Sequence, residues 1–256
     1  MDVADYIGFV ASEGERFAAV AEKGPLDVDI ATCEGWDMRE LVRHVGLIHL
    51  WAAANVAFPA DRWLRVRDLP DLAGHWPDLA TAWPDDANLV SWYRDTHANL
   101  IGVLEAAPTD HRCYTFLPAP SPVSMWARRQ ASEIAIHRFD AEVSRGVPSH
   151  FAPAFAADML DELLSGFATR HMKLPVEREV LLHVHALDVD EHWHLTADAE
   201  GIATARSGGD ADLTVTAPAA DLYLLMWNRG TGAGVDLSGD AEVMDLWRDN
   251  CHVRWR

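Results

Sequence analysis

The sequence predicts a multi-domain α and α+β protein: an N-terminal four-helix bundle over residues 1–147, followed by a smaller α+β domain with a mainly antiparallel sheet over residues 148–256. Three observations carry this expectation. The chain has 256 residues, whereas a single domain commonly runs about 100–150, so two separate cores are expected. Before residue 145 the apolar side chains recur at the three-and-four spacing of helices, in four segments. Beyond the stretch 146–153, which holds a glycine and two prolines and reads as the joint, they alternate instead.

Each element has its own signal. Val3, Tyr6, Ile7, Val10, Phe17 and Val20 share one face of a first helix, which Gly24-Pro25 ends. Asp37 and Glu40 make a capping box for a second helix reaching to about Val56. The 3.6-residue period turns Leu41, His44, Val45, Ile48 and Ala52 of that helix inward and leaves His49 off the stripe. Residues 59–86, rich in Pro, Asp and Trp, read as a long connection with one short helical turn; its Trp63, Trp76 and Trp83 are candidates for shaping a pocket. A third helix spans 89–106. The fourth opens on Ser121-Pro122, a cap followed by proline at the first helical position, and runs to Ser144. Past the joint the order is a helix at 155–171, strands at 179–189, 192–197 and 213–216, a helix at 219–228, a short strand at 235–237 and a last helix at 241–250.

Composition excludes several classes. Apolar residues make 49% and charged residues 24% of the chain, as in an ordinary globular protein. The net charge of −19 and the absence of any basic run argue against a nucleic-acid partner, which is held through phosphates by clustered Lys and Arg. No stretch approaches the roughly 20 apolar residues of a membrane span, and the first twenty residues lack the basic start and apolar core of a secretion signal. Cys33, Cys113 and Cys251 are odd in number and far apart, which fits a reducing cytoplasm.

The residues that carry chemistry lie in the bundle. Glu133 and His137 stand four apart on the fourth helix, so they share a face and can close on one metal ion. Taken alone, such a pair is equally the pattern of a solvated helical contact. His44 changes this, because a core-facing imidazole needs a partner, although a hydrogen-bonded neighbour would serve as well as an ion. Bundle cores are where facing helices pool Glu and His ligands. Three protein ligands, His44, Glu133 and His137, leave a fourth position open, which marks a catalytic divalent site, zinc by preference. His97, His111 and Asp140 are left outside this ligand set.

The stretch from Thr32 through Cys33, Gly35, Trp36 and Asp37 to His44 and Val45 resembles a signature of the maleylpyruvate isomerase family of mycothiol-dependent enzymes, whose bundle is DinB-like. Ser132-Glu133 with His137, Asp140 and Glu142 resembles that family's second signature. Ala211-Asp212-Leu213, residues 222–229 and Gly239-Asp240-Ala241 are similar to its sterol-carrier-like C-terminal domain. The resemblance implies that His44, Glu133 and His137 bind the metal and that mycothiol is the cofactor. It also implies that an arginine of the C-terminal domain assists the reaction. Arg229, after Trp227, is the local match, its alternative being an exposed cation at a helix C-terminus. Cys33 is read as a packing residue of the turn.

The function so implied is a cytoplasmic metalloenzyme in which a metal-bound mycothiol thiolate attacks a small electrophilic substrate, by cis-trans isomerisation or by thiol transfer. Two other classes stay open: a metal-dependent hydrolase or lyase without a thiol cofactor, and a non-catalytic ligand-binding protein.

Overall fold

The structure is a computed structural model. It describes residues 1–58, 64, 84–108, 110–230 and 232–252, which divide into two compact units, Met1–Ser149 and His150–Arg256.

Among the described residues the first unit is built on four helices, α1 (Val3–Ala21), α2 (Met38–Ala57), α3 (Asp86–Ala106) and α4 (Pro122–Ser144). The caps are those the sequence signals. Asp37 accepts from the Glu40 N–H at 2.9 Å, and Glu40 accepts in return from the Asp37 N–H at 3.0 Å. Ser121 caps α4, with Pro122 in its first turn. α1 packs on α4, α2 on α3, and the two pairs close through α1 with α3 and α2 with α4. Trp63, Trp76 and Trp83 of the long connection, and the short helical turn expected in it, lie outside the described residues. Leu64 of that connection is tied to α2, where Asn55 both accepts from the Leu64 N–H at 3.1 Å and donates to its carbonyl at 3.2 Å.

The burial of α2 departs from the expected stripe. His49 is wholly buried, as are Val42, Gly46, Trp51 and Asn55, whereas His44 keeps partial exposure. A one-sided stripe fits a helix with one covered face, but α2 is covered by α3 on one side and α4 on another. Gly46 permits the close approach to α3: a methyl group there would overlap the Trp92 ring.

α4 is the most deeply set helix, and charged side chains are buried along it. Arg138 is fully buried and donates to both Glu13 of α1 and Glu142, and to Ser149 Oγ at 2.8 Å. Arg16 of α1 donates to Glu142 Oε1 at 3.1 Å. A buried charge is tolerable when paired in this way, and removing one partner leaves the others uncompensated.

The second unit opens on α5, which begins as Pro153–Asp161, widens into a π-helical segment Glu162–Ala168 and ends in the turn Thr169–His171. The expected uninterrupted helix is thus broken in register at its middle, around Gly166, where Thr204 donates to the Leu164 carbonyl at 2.7 Å. Five strands follow: β1 (Val180–Ala186), β2 (Glu191–Ala197), β3 (Ile202–Ala205), β4 (Leu213–Ala217) and β5 (Asp236–Gly239). Their order is β3-β2-β1-β4-β5, with β1 and β4 parallel and every other pair antiparallel. β3 is not foreseen from the sequence, because it has four residues and buries a single side chain, Ile202, so no alternation announces it. Val180, Leu182, Val184 and Ala186 of β1, with Trp193, Leu195 and Ala197 of β2, form the buried face. α6 (Ala219–Met226) packs on α5, β4 and β1, and α7 (Glu242–Asn250) is pinned by the Trp247 indole, which donates to the Met226 carbonyl at 2.9 Å. Among the described residues no helix is long and apolar enough to cross a membrane.

Two stability predictions follow from the bundle. Replacing Arg138 with Met leaves Glu13 and Glu142 buried without their shared cation. The expected loss is about 3–5 kcal/mol, read as a lower urea midpoint for the first unit's transition. Burial pushes the His49 imidazole well below its ordinary value, and neither ring nitrogen has a hydrogen-bond partner among the described residues. The folded protein therefore keeps this ring neutral while the unfolded chain takes up a proton near its ordinary value of 6.5. Its contribution to stability is intact above that pH and is lost as pH falls toward the depressed folded value, by up to about 1.4 kcal/mol per pH unit. A His49→Leu variant should show a flatter fall of stability below pH ~6.5 than the parent; parallel curves would remove His49 from the explanation.

Candidate metal centre

The site is assembled by two helices and one turn. On α4, Glu133 and His137 stand one helical turn apart, which brings His137 Nε2 to 3.3 Å from Glu133 Oε1. From α2, His44 presents Nε2 to the same oxygen at 3.2 Å. The two imidazole rings meet edge to face, with centroids 5.0 Å apart. All three donor atoms lie within 4.8 Å of one another. The His44 side chain is 13% exposed, against 3% for Glu133 and 8% for His137, so the site opens on the His44 side.

The surroundings fix which atoms face inward. Arg129 Nη2 donates to Glu133 Oε2 at 3.0 Å, occupying that oxygen and leaving Oε1 to the histidines. Asp140 Oδ2 lies 2.9 Å from His137 Nδ1. Where a metal ion takes the place of the Nε2 proton, a proton held on Nδ1 by that carboxylate leaves the Nε2 lone pair directed at the ion. The turn before α2 forms the third wall. Gly35 adopts φ +79°, a left-handed conformation that favours glycine, and the Trp36 N–H donates to the Cys33 carbonyl at 3.0 Å. This closure sets the Trp36 ring edge-on to His44 at 4.9 Å and the Cys33 thiol 3.4 Å from Asp140 Oδ2.

The electrostatics are strongly directed. Burial acts to raise the Glu133 carboxyl, but hydrogen bonds from His137 and His44 and the Arg129 charge outweigh it and hold the group well below the usual carboxylate range. Burial holds His44 below its ordinary value, so that ring is neutral. Burial also opposes charge on His137, yet bonds to Asp140, Cys33 and Glu133 overcome it and hold that imidazole well above its ordinary value. Two carboxylates thus converge on a place that attracts positive charge.

These donors fit a divalent ion. Two imidazole nitrogens and one carboxylate oxygen form a known catalytic zinc set, and ligand atoms of a tetrahedral site with bonds of about 2.0–2.1 Å stand about 3.3 Å apart. The separations of 3.2 and 3.3 Å around Glu133 match that spacing.

The other candidates have their own partners. His97 is buried against His49 and Tyr93, and His111 Nε2 bonds the Val56 carbonyl at 2.6 Å. Arg229 belongs to the second unit, in the turn after α6, where its N–H donates to the Leu224 carbonyl at 2.8 Å. Asp140, which the sequence reading leaves outside the ligand set, is the residue orienting His137, and Cys33 contributes more than packing through its contact with Asp140. Arg129 is absent from the sequence reading, and Trp36 enters it only as part of the first family signature. The signals for Arg129 and Asp140 are present as spacings of four before Glu133 and three after His137.

A helical bundle with an inward N,N,O donor set that could hold a metal ion, followed by an α+β unit, defines the class of the protein. The family model described as "Mycothiol maleylpyruvate isomerase N-terminal domain" matches residues 10–142, and that described as "MDMPI C-terminal domain" matches residues 150–246. The chain belongs to the mycothiol maleylpyruvate isomerase family. Among solved structures, a mutant of the mycothiol-dependent maleylpyruvate isomerase is similar with TM-score 0.65 at 13% identity, covering 93% of each chain. A second structure of the mycothiol-dependent maleylpyruvate isomerase gives TM-score 0.63 at 15% identity, with the same coverage of 93% of each chain. These likenesses establish the shared fold. No curated protein matches the chain.

Replacing His137 with Ala should lower the bound zinc by one equivalent, measured by elemental analysis after dialysis against zinc. An Asp140→Asn variant should keep the three ligands but bind zinc about 10–100-fold more weakly; unchanged affinity would remove Asp140 from the orienting role.

Proposed function

We propose that the chain is a mycothiol-dependent metalloenzyme acting on a small electrophilic substrate, by cis-trans isomerisation or by thiol transfer. The observation that carries this reading is the convergence of His44, Glu133 and His137 at 3.2 and 3.3 Å, in a chain of the mycothiol maleylpyruvate isomerase family. Bound by these three residues, a zinc ion would supply a Lewis acid with an open position, able to hold the mycothiol sulfur as a thiolate at neutral pH for addition to an electrophilic carbon.

The chain's own residues have distinct tasks in this reading. Glu133 supplies the negative charge, and Arg129 keeps its second oxygen engaged so that the carboxylate presents one atom. Asp140 holds the His137 ring in the tautomer that leaves Nε2 available. His44 and Trp36 stand at the more open side, where thiol and substrate would enter. Arg229 of the second unit is proposed as a residue assisting the reaction, as the family resemblance implies. A cytoplasmic location is part of the same proposal.

The direct test is calorimetric titration of the zinc-loaded protein with mycothiol. Saturable binding that is lost in the His137→Ala variant is expected. Absence of binding up to millimolar mycothiol would sink the thiol reading and favour a metal-dependent hydrolase or lyase. An Arg229→Ala variant should retain metal and mycothiol binding while turnover falls.

A further inference from the structure

Among the described residues outside the bundle, the densest group of metal-ligating side chains lies on the outward face of the β1–β2 hairpin. Side chains alternate across a strand, so His183 and His185 of β1 share a face, as do His192 and His194 of β2. The antiparallel register sets His183 opposite His194 and His185 opposite His192. The sheet therefore gathers four imidazoles in a two-by-two patch, on the face opposite Val184, Trp193 and Leu195. The turn joining the strands adds a carboxylate, because Asp190 adopts φ +53°, a left-handed conformation that Asp tolerates better than most residues.

We propose that this face is a second binding site for a borderline divalent transition ion of the zinc or nickel type, held by His185, Asp190 and His192. Asp190 Oδ1 lies 3.4 Å from His185 Nε2 and 3.5 Å from His192 Nε2. These are close to the roughly 3.3 Å separation of ligand atoms around a tetrahedral ion, and the three donors fall within 4.8 Å of one another. The His185 and His192 rings stack with centroids 4.0 Å apart, and both Nε2 atoms face Asp190 Oδ1.

His183 has the orienting role. Its Nε2 lies 3.0 Å from His192 Nδ1. With the shared proton on His192 Nδ1, the His192 lone pair sits on Nε2 toward Asp190, the arrangement in which ligating histidines donate their other N–H to an outer partner. Gly208 lies over this pair, where an added methyl carbon would stand 3.5 Å from His183 Nε2 and 3.6 Å from His192 Nδ1, in van der Waals contact. His194 is committed elsewhere, its Nε2 meeting the Asp210 carbonyl at 2.9 Å. Imidazole with one carboxylate suits zinc, nickel or copper over magnesium or calcium, which seek oxygen. The site shares no residue with His44, Glu133 and His137. Being partly exposed, it is suited to an exchangeable ion that clamps the hairpin, coupling ion binding to the second unit's stability.

The test is zinc stoichiometry by equilibrium dialysis of the full chain at modest excess of free metal. A His185→Ala/His192→Ala double variant should bind one equivalent fewer than the parent, with unchanged circular dichroism because both side chains lie on the outward face. His183→Ala should keep the stoichiometry and weaken the second equivalent about 10–100-fold. An unchanged stoichiometry in the double variant overturns the proposal. His137→Ala separates the two sites: it should lose a different equivalent and retain the one removed by the double variant.

Discussion

A carboxylate taken out of water must be surrounded by positive charge or by hydrogen-bond donors, and the first unit is arranged around one such group. Glu133 is nearly inaccessible, and its two oxygens are divided between Arg129 on one side and the pair His44 and His137 on the other. Unpaired, its burial would cost several kcal/mol; so surrounded, it becomes the point on which two helices agree. α4 must then lie at the centre of the bundle to keep Glu133 dry, and the other helices must cover it. That requirement accounts for a helix buried along nearly its whole length despite its many charged residues.

At about 100° per residue, Arg129, Glu133, His137 and Asp140 fall within a narrow sector of α4, whereas Arg138 and Glu142 fall on nearly the opposite side. The helix therefore carries two separate polar systems. One faces α2 and the turn at Cys33 and builds the site. The other faces α1, where Glu13 and Arg16 complete it, and joins two helices by charge where packing alone would require apolar residues. Separation matters, since in a common cavity the Arg138 guanidinium would compete for the carboxylates that the site needs.

Much of this was legible in the residues. Capping at Asp37 and Ser121, the helical period and the change to alternation after the joint place the elements nearly where they stand, because each is a local signal. The three candidate ligands could be named because spacing on one helix and an inward position on another are both periodic properties. What escaped has physical reasons. His49 appeared to lie off the core stripe because a stripe supposes one covered face, and α2 has more than one. Asp140 carries the helical spacing of three from His137, but its contact with Cys33 depends on the turn at Gly35, which no period encodes. β3 buries too little to alternate, and the π-helical widening of α5 is set by its packing against that strand.

The parity of the β1–β2 pairing has a further consequence. The side chains that fill the core and the histidines outside it alternate along the same strands, held by one four-residue connection at 187–190. A slip of one residue exchanges the two faces at every position. The imidazole patch and the hydrophobic face beneath it are thus encoded as a single unit: insertions or deletions in that connection are filtered by the core's need for Val184, Trp193 and Leu195, and the outer chemistry is preserved along with them. A surface feature that ordinarily drifts freely is here sheltered by the geometry of the sheet.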